Sequence, residues 1–457
     1  KMDQFNYGCR YEQYLLTNDG ALLNEMKQML RHCADNYNEV ALDYQAAGLS
    51  DEANAIWQIA IEEDAANPMT YYYMHRYKDA AEADYSYCFP NRLEDIQALE
   101  NAKLKNPSDA MAPYYLGCLF YAARQYDLAI ENWELSSQKA PMFPLVWRNL
   151  ALALFNKQGR EKEALGYMQN AFKLDTTDAR MLMELDQLSK RLHHPHAERL
   201  EFLQQYPKLI EKRDDLVLEE ITLLNQVGKY IQAKRKLDAH IFHPWEGGEG
   251  KVPAQYQICR VEMAKQNIAE GKYKCAVGLL KQCLTYPHHL GEGKLYGAQE
   301  NDFYYLLGVA YDALGKTDEA KECWEKAVLG PQEPAAAMYY NDAKPDKIFY
   351  QGMALRKLGR EDEAYGRFYR LINYGKQHVF EHQTMDYFAV SLPDLLIWDD
   401  SLDTKNVIHC KYMLALGYCG MGDMKHALKY LAEVEALDNN HQGAQQLRSF
   451  IELRLLP

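Results

Sequence analysis

The sequence predicts an all-α protein: a right-handed α-solenoid of about ten short helical hairpins, ending in a capping helix. Three observations predict it. The stretch 303–331, FYYLLGVAYDALGKTDEAKECWEKAVLGP, puts small residues, Gly308 and Ala320, where the two helices of one hairpin cross. Leu307, Tyr311 and Trp324 fill the space around that crossing, Gly315 closes the turn and Pro331 stops the second helix. Next, the small position of the second helix recurs along the chain as Ala53, Asp95, Ala129, Ala164, Ala197, Ala233, Ala276, Ala320, Ala364 and Ala427. Finally, the alternation and hairpin turns that mark strands are missing throughout.

One such hairpin cannot bury its apolar faces alone and needs copies stacked on either side. Three successive steps of the series, from residue 95 to 197, are 34, 35 and 33 residues long, which leaves almost no room for insertion. Leu116, Gly117, Phe120, Ala129, Trp133 and Pro141 make a second copy of the pattern, and Trp147, Leu150, Ala151, Leu154 and Ala164 a third. This arrangement resembles the tetratricopeptide-repeat superfamily. Ahead of the array, residues 1–40 read as a helical leader, with Leu22, Met26, Met29 and Leu30 at helical spacing.

From Ala233 onward the steps lengthen to 43, 44, 44 and 63 residues. The additions fall between one hairpin and the next: 243–252, 286–300, 330–347 and about 375–403. The chain therefore divides into a regular array, 41–240, and a continuous array with enlarged loops, 241–457. Repeats stack in parallel, so the loops are expected along one edge, a common place for binding. Residues 411–437 are one more hairpin. Asn440–Pro457 reads as the capping helix, with Gln442, Gln445, Gln446, Arg448, Glu452 and Arg454 as a solvated outer face.

Composition narrows the partners. With 48% hydrophobic and 25% charged residues the chain is globular. Its 35 tyrosines suit a solenoid, where the ring packs between helices and the hydroxyl reaches the groove. A formal net charge of −14 argues against nucleic acid or an anionic membrane as the main partner. Ten cysteines without a Cys-x-x-Cys pair read as reduced, small hydrophobes. No secretory or membrane-spanning run is present, so the cytoplasm is the expected compartment. The chain begins at Lys1, which fits a piece of a longer protein.

The most informative local feature is an echo. Residues 244–252 (PWEGGEGKV) and 287–295 (PHHLGEGKL) both read Pro-x-x-x-Gly-Glu-Gly-Lys-apolar, 43 residues apart. Glycines flanking a glutamate permit unusual backbone angles and close approach of a partner. Side by side, the loops would present Trp245, Glu246, Glu249 and Lys251 beside His288, His289, Glu292 and Lys294. Trp245 and His288 share the aligned place, from which each could stack on a planar or sugar-like face. Against this candidate binding site stands a plainer reading, tight turns whose Glu and Lys make structural bonds.

Other clusters read mainly as structure. His193, His194 and His196 around Pro195 read as a solvated turn, and the His288–His289 pair and His378 with His382 lack the further ligand a metal needs. Asp399, Asp400 and Asp403 could form an acid pair for hydrolysis, but capping carboxylates explain them as well. No nucleophile elbow, phosphate-binding loop or Cys/His site occurs, so neither catalytic residues nor a metal or cofactor are expected.

The strings HPWEGGEGKV, LGEGK, FYQGMALRKLGR and DYFAVSLPDLLIWDD resemble the C-terminal repeat region of large bacterial proteins whose N-terminal part is thought to hold mutarotase-like β-sandwich domains. The resemblance covers roughly residues 40–457. It implies a tie to carbohydrate metabolism and a role for Trp245, Glu246, Glu249, Lys251 and the 286–296 loop facing the absent domain or its ligand. The leading expectation is thus a non-catalytic scaffold binding a peptide, a protein or a sister domain through its concave groove and loop-decorated edge. The alternative is an accessory region of a carbohydrate-active enzyme, whose loops complete a sugar site. An independent hydrolase using loop carboxylates ranks third.

Overall fold

The computed structural model describes residues 6–336, 342–384 and 397–455, and every regular element among them is a helix. Two compact units emerge, Lys1–Asp175 and Thr176–Pro457. The change in loop length at 240 falls inside the second unit.

Unit 1 contains α1 (Tyr7–Thr17), α2 (Gly20–Leu30), α3 (Ala34–Ala46), α4 (Ser50–Glu62), α5 (Pro68–Tyr73), α6 (Tyr77–Glu82), α7 (Leu93–Lys105), α8 (Met111–Ala122), α9 (Tyr126–Lys139), α10 (Pro144–Gln158) and α11 (Glu161–Leu174). Consecutive helices pair as hairpins, α1 with α2, α3 with α4, α8 with α9 and α10 with α11. The leader is therefore itself a hairpin. Between α5 and α7 the chain inserts α6 and the loop that follows it.

Unit 2 continues with α12 (Ala179–Arg191), α13 (His196–Leu203), α14 (Pro207–Ile210), α15 (Asp214–Gln226), α16 (Tyr230–Ala239), α17 (Lys251–Ala269), α18 (Tyr273–Cys283), α19 (Asn301–Ala313), α20 (Thr317–Ala327), α21 (Pro345–Lys357), α22 (Glu361–His378), α23 (Leu402–Gly420), α24 (Met424–Leu437) and α25 (Gln442–Glu452). The hairpins α17–α18, α19–α20, α21–α22 and α23–α24 stack in order. α22 runs to His378, so the last enlarged loop starts a few residues later than its sequence suggests.

The crossings are as close as small residues allow. A Cβ on Gly308 would lie 2.2 Å from the Trp324 indole, and one on Gly117 would lie 2.4 Å from Trp133. Ala53, Ala129, Ala164, Ala233, Ala276, Ala320, Ala364 and Ala427 are all fully buried at the equivalent places. Two members of the series differ. Asp95 is buried as a carboxylate because it accepts the backbone N–H groups of Asn91 and Arg92, at 2.7 and 2.9 Å, and the Tyr73 hydroxyl. Ala197 is exposed, and Leu200 and Leu203 supply the buried face of α13 instead. That hairpin is irregular, and sequence spacing alone misassigns it.

In unit 2 a buried ionic cluster joins α12, α13 and α15. The Arg199 guanidinium donates to Asp186 at 2.7 Å and to Glu219 at 2.6 Å, while Lys190 reaches Glu219 at 3.2 Å. Burial pushes the Asp186 carboxyl up to about 6 against the pull of Arg199. Burial also works on Glu219, but Lys190 and Arg199 together outweigh it and bring it down to about 2.

The terminal helix is present, but of the six polar residues expected on a solvated face only Glu452 and Arg454 are exposed. No residue from His441 to Ile451 is exposed. Instead α25 lies against the first helices of several hairpins. Phe450 sits among Tyr305 of α19 and Phe349 and Tyr350 of α21, with ring centroids 6.3, 6.0 and 5.8 Å away. Gln442 bonds Gln255 of α17 at 2.7 Å, and Ser449 donates to Glu262 at the same distance. Just before it, Asn440 accepts from Arg199 at 3.1 Å and donates to the Lys190 carbonyl at 3.2 Å. The end of unit 2 thereby returns to its beginning.

Candidate functional site

The two echoed loops meet. Phe242 N–H donates to the His289 carbonyl at 2.8 Å, and the Gly250 N–H donates to the Glu292 carboxylate at 2.8 Å. Gly250 has φ +72° and is the N-cap of α17, so Glu292 places a negative charge on the amino end of that helix from the next repeat. Glu292 is half-buried. Its desolvation, which the Gly250 bond only partly offsets and neighbouring Glu249 reinforces, holds its carboxyl above the ordinary value.

The eight candidate residues divide by what they touch. Lys294 is anchored inside its own loop, donating to the Leu284 carbonyl at 2.9 Å and pairing with Glu300 at 2.5 Å. The Trp245 ring covers Gly248, where a Cβ would come within 2.3 Å of it, and Trp245 is half-buried. His289 is partly buried with its ring 6.5 Å from Tyr256. Glu246, Glu249, Lys251 and His288 are exposed on the rim. Glu292 and Lys294 thus brace the loops, and the outward-facing chemistry belongs to the other group.

What the sequence did not single out is a set of exposed apolar side chains on the enlarged connections. Ile241, Leu295, Tyr296, Leu329 and Phe380 have exposures of 66, 53, 109, 67 and 93%. Taken between the observed helices, each of the four connections contributes at least one. Neighbouring connections also touch: Lys344 N–H donates to the Gln299 side chain at 3.4 Å, and Asn301 donates to the Leu329 carbonyl at 2.7 Å. The signal was available as unpaired apolar residues at loop positions, overshadowed by the glycines and charges of the echoed motif. In unit 1, the insertion after α5 makes one wall of an open hollow of about 1100 Å³, with Tyr85 and Phe143 in edge-to-face contact beside it.

The remaining candidates are engaged structurally. His193 and His196 face Asn439 and Asn440, each at 3.2 Å. His378 bonds Glu381 at 2.7 Å, and His382 bonds Asp403 at 2.9 Å. Asp400 pairs with Arg191 at 2.5 Å and Lys405 at 3.1 Å, and those cations overcome its burial to lower its pKa. Asp400 and Asp403 are thus each bonded to neighbouring side chains. Residues 385–396, including most of the DYFAVSLPDLLIWDD string, and 337–341 of the third enlarged loop lie outside the described residues. Among the described residues no three His, Cys, Asp or Glu come together as a metal site, and no helix is long and apolar enough to cross a membrane.

A family model for the tetratricopeptide repeat matches residues 302–329. That stretch, the hairpin α19–α20, is similar to the tetratricopeptide repeat. The match falls on the same Gly308–Trp324 crossing that the packing singles out. Among solved structures, a tetratricopeptide repeat protein from Parabacteroides merdae is 15% identical, with 63% of this chain and 97% of that one covered at a TM-score of 0.31. YrrB, a tetratricopeptide repeat protein described as having an unusual peptide-binding site, is 13% identical over 51% of this chain and 92% of its own, at 0.28. The TPR2AB domain of yeast Sti1, in a complex with pHSP90, gives 13%, 60%, 93% and 0.26. The repeat assignment rests on the family match and on the hairpin's own packing.

Proposed function

We propose that this chain is a non-catalytic scaffold that docks a protein along the loop-decorated edge of unit 2. The observation that carries this reading is the set Ile241, Leu295, Tyr296, Leu329 and Phe380, exposed on successive enlarged connections. Exposed apolar side chains that recur at one structural position mark protein contact more readily than a polar ligand. Glu246, Glu249 and Lys251 would form the polar rim, with His288 beside them. The partner is a separate protein or a sister domain of the same polypeptide, and the formal charge of −14 favours neutral or basic surfaces on it.

The test is a Leu295→Ser, Tyr296→Ser variant, whose two side chains are exposed and whose fold should be unchanged. A partner captured by the wild-type chain and then purified should bind this variant at least tenfold more weakly. Equal affinity for both would remove the edge from consideration.

A second reading, an accessory edge to a carbohydrate-active enzyme, draws on the exposed Tyr296 and His288 rings and the exposed carboxylates of Glu246 and Glu249 on the two echoed loops. Titration with oligosaccharides decides it: heat of binding that a Tyr296→Ala, Glu249→Ala variant loses supports it, and no heat with the wild-type chain rejects it.

A further inference from the structure

Two short stretches carry unit 2 back onto its first helices. Trp398, just ahead of α23, is 2% exposed, and its indole Nε1 donates to the Glu184 carbonyl in mid-α12 at 2.9 Å. Two residues on, Asp400 accepts from Arg191, the last residue of that helix, at 2.5 Å. Lys405, in the first turn of α23, holds the same carboxylate at 3.1 Å. Burying a tryptophan removes a large apolar area from water, and the indole N–H has the partner that its burial demands.

The second stretch is the link between α24 and α25. Asn439 and His193 bond reciprocally: the Asn439 amide donates to the His193 carbonyl at 3.0 Å, and its oxygen faces His193 Nδ1 at 3.2 Å. Every polar group of Asn440 is bonded. Its side-chain oxygen accepts from Arg199 at 3.1 Å and faces His196 Nε2 at 3.2 Å. Its side-chain nitrogen donates to the Lys190 carbonyl at 3.2 Å, and its main-chain carbonyl accepts from Gln226 at 3.1 Å. Its own N–H goes to Asp438 at 2.9 Å. Three helices, α12, α13 and α15, thus meet on one asparagine. An amide bonded on both sides fits a single register, because any shift strands polar groups that water does not reach.

An open repeat array is joined only through neighbouring hairpins and frays from its ends. In unit 2 the contacts run from α12 through α13, α15, α16 and α17 to the stacked hairpins that end with α23 and α24. The two stretches then bring the path back to α12 and α13, across 209 to 250 residues of sequence.

We infer that residues 398–400 and the pair Asn439–Asn440 form a two-part clasp that closes unit 2 on itself. The irregular α12–α13 hairpin is thereby held from both sides, and the unit opens as one body instead of hairpin by hairpin. This holds whether or not the enlarged connections dock a protein.

Hydrogen exchange on the intact chain gives the first test. In the wild type the mid-α12 amides should exchange within tenfold of those of mid-α19, because the clasp lets the first helix open only with the rest. An α12 that exchanges more than tenfold faster than α19 would show a fraying end and overturn the inference. The second test breaks each half of the clasp in turn, in full-length Trp398→Ala and Asn440→Ala variants. The ratio of the α12 rate to the α19 rate should rise at least tenfold in each. A smaller rise in either overturns the two-part clasp, even where both rates climb together through a general loss of stability. Asp400→Asn is the milder break, since it removes only the charge facing Arg191, and should raise the same ratio at least threefold. Should an alanine variant fail to fold, Asp400→Asn and the wild-type rates still decide: an unchanged ratio in Asp400→Asn overturns the clasp.

Discussion

A Cβ built on Gly308 would stand 2.2 Å from the Trp324 indole nitrogen, inside any tolerable contact. Gly→Ala in a helix ordinarily gains about 1 kcal/mol through backbone entropy. At this crossing overpacking reverses the sign, and Gly308→Ala should cost about 1–3 kcal/mol. Gly278, in α18, has open space where a Cβ would stand, with nothing within 4 Å, and Gly278→Ala should stabilise by about 0.5–1 kcal/mol. Urea unfolding of the two variants, side by side, checks the opposite signs.

Arg199 touches both Asp186 and Glu219, and its side chain is 2% exposed. Arg199→Met keeps much of the volume and leaves Asp186 without its partner. The expected loss is about 3–5 kcal/mol. Denaturant unfolding of unit 2 measures it; a loss below about 1 kcal/mol would mean that the cluster relaxes into water.

Glu292 holds the neighbouring loop by one bond to the Gly250 N–H. Glu292→Ala should cost about 1 kcal/mol, the usual size of a lost helix cap, and should speed tryptic cleavage after Lys251. Glu292→Gln keeps an acceptor oxygen there and should behave like wild type in the same digestion. Equal cleavage rates in all three proteins would show that the loop holds itself.

Acid should loosen α25. His441 caps that helix by accepting the Ala444 N–H on Nδ1 at 3.0 Å, and His409 bonds the Ala335 carbonyl at 2.8 Å. Burial lowers the pKa of both below 6.5, with Asp438 opposing the shift at His441. The unfolded chain then takes up protons first, so this contribution is whole above pH 6.5 and is lost as pH falls toward the depressed native values. Asp186, raised to about 6, acts with the opposite sign. A His441→Asn variant, which keeps the cap and drops the titration, cancels that common part. Between about pH 7.5 and 5 its Tm should fall less than the wild-type Tm. Parallel curves would exclude His441.

Much of this fold was legible because its rules are local. Gly308 with Trp324 and Gly117 with Trp133 are sixteen residues apart, so one hairpin explains each pair. The meeting of the two Gly-Glu-Gly-Lys loops was legible for a related reason: equal positions in adjacent repeats lie side by side. What each candidate residue then does was not legible. Trp245 folds over Gly248 and Lys294 bonds back to the Leu284 carbonyl, and nothing in the motif states that. Ala197 misled because α13 turns its leucines, and not its alanine, to the core.

The sequence by itself determined the helical hairpins, their small-against-large crossings, and the place of the enlarged loops, since each depends on spacing within one or two repeats. Tertiary structure alone decided that the polar helix at the end of unit 2 folds inward. Lys265 and Gln446 are 181 residues apart, and Trp398 and Glu184 are 214 apart. Such contacts follow from how curvature accumulates over many repeats, a small rotation at each step that no single stretch of sequence displays.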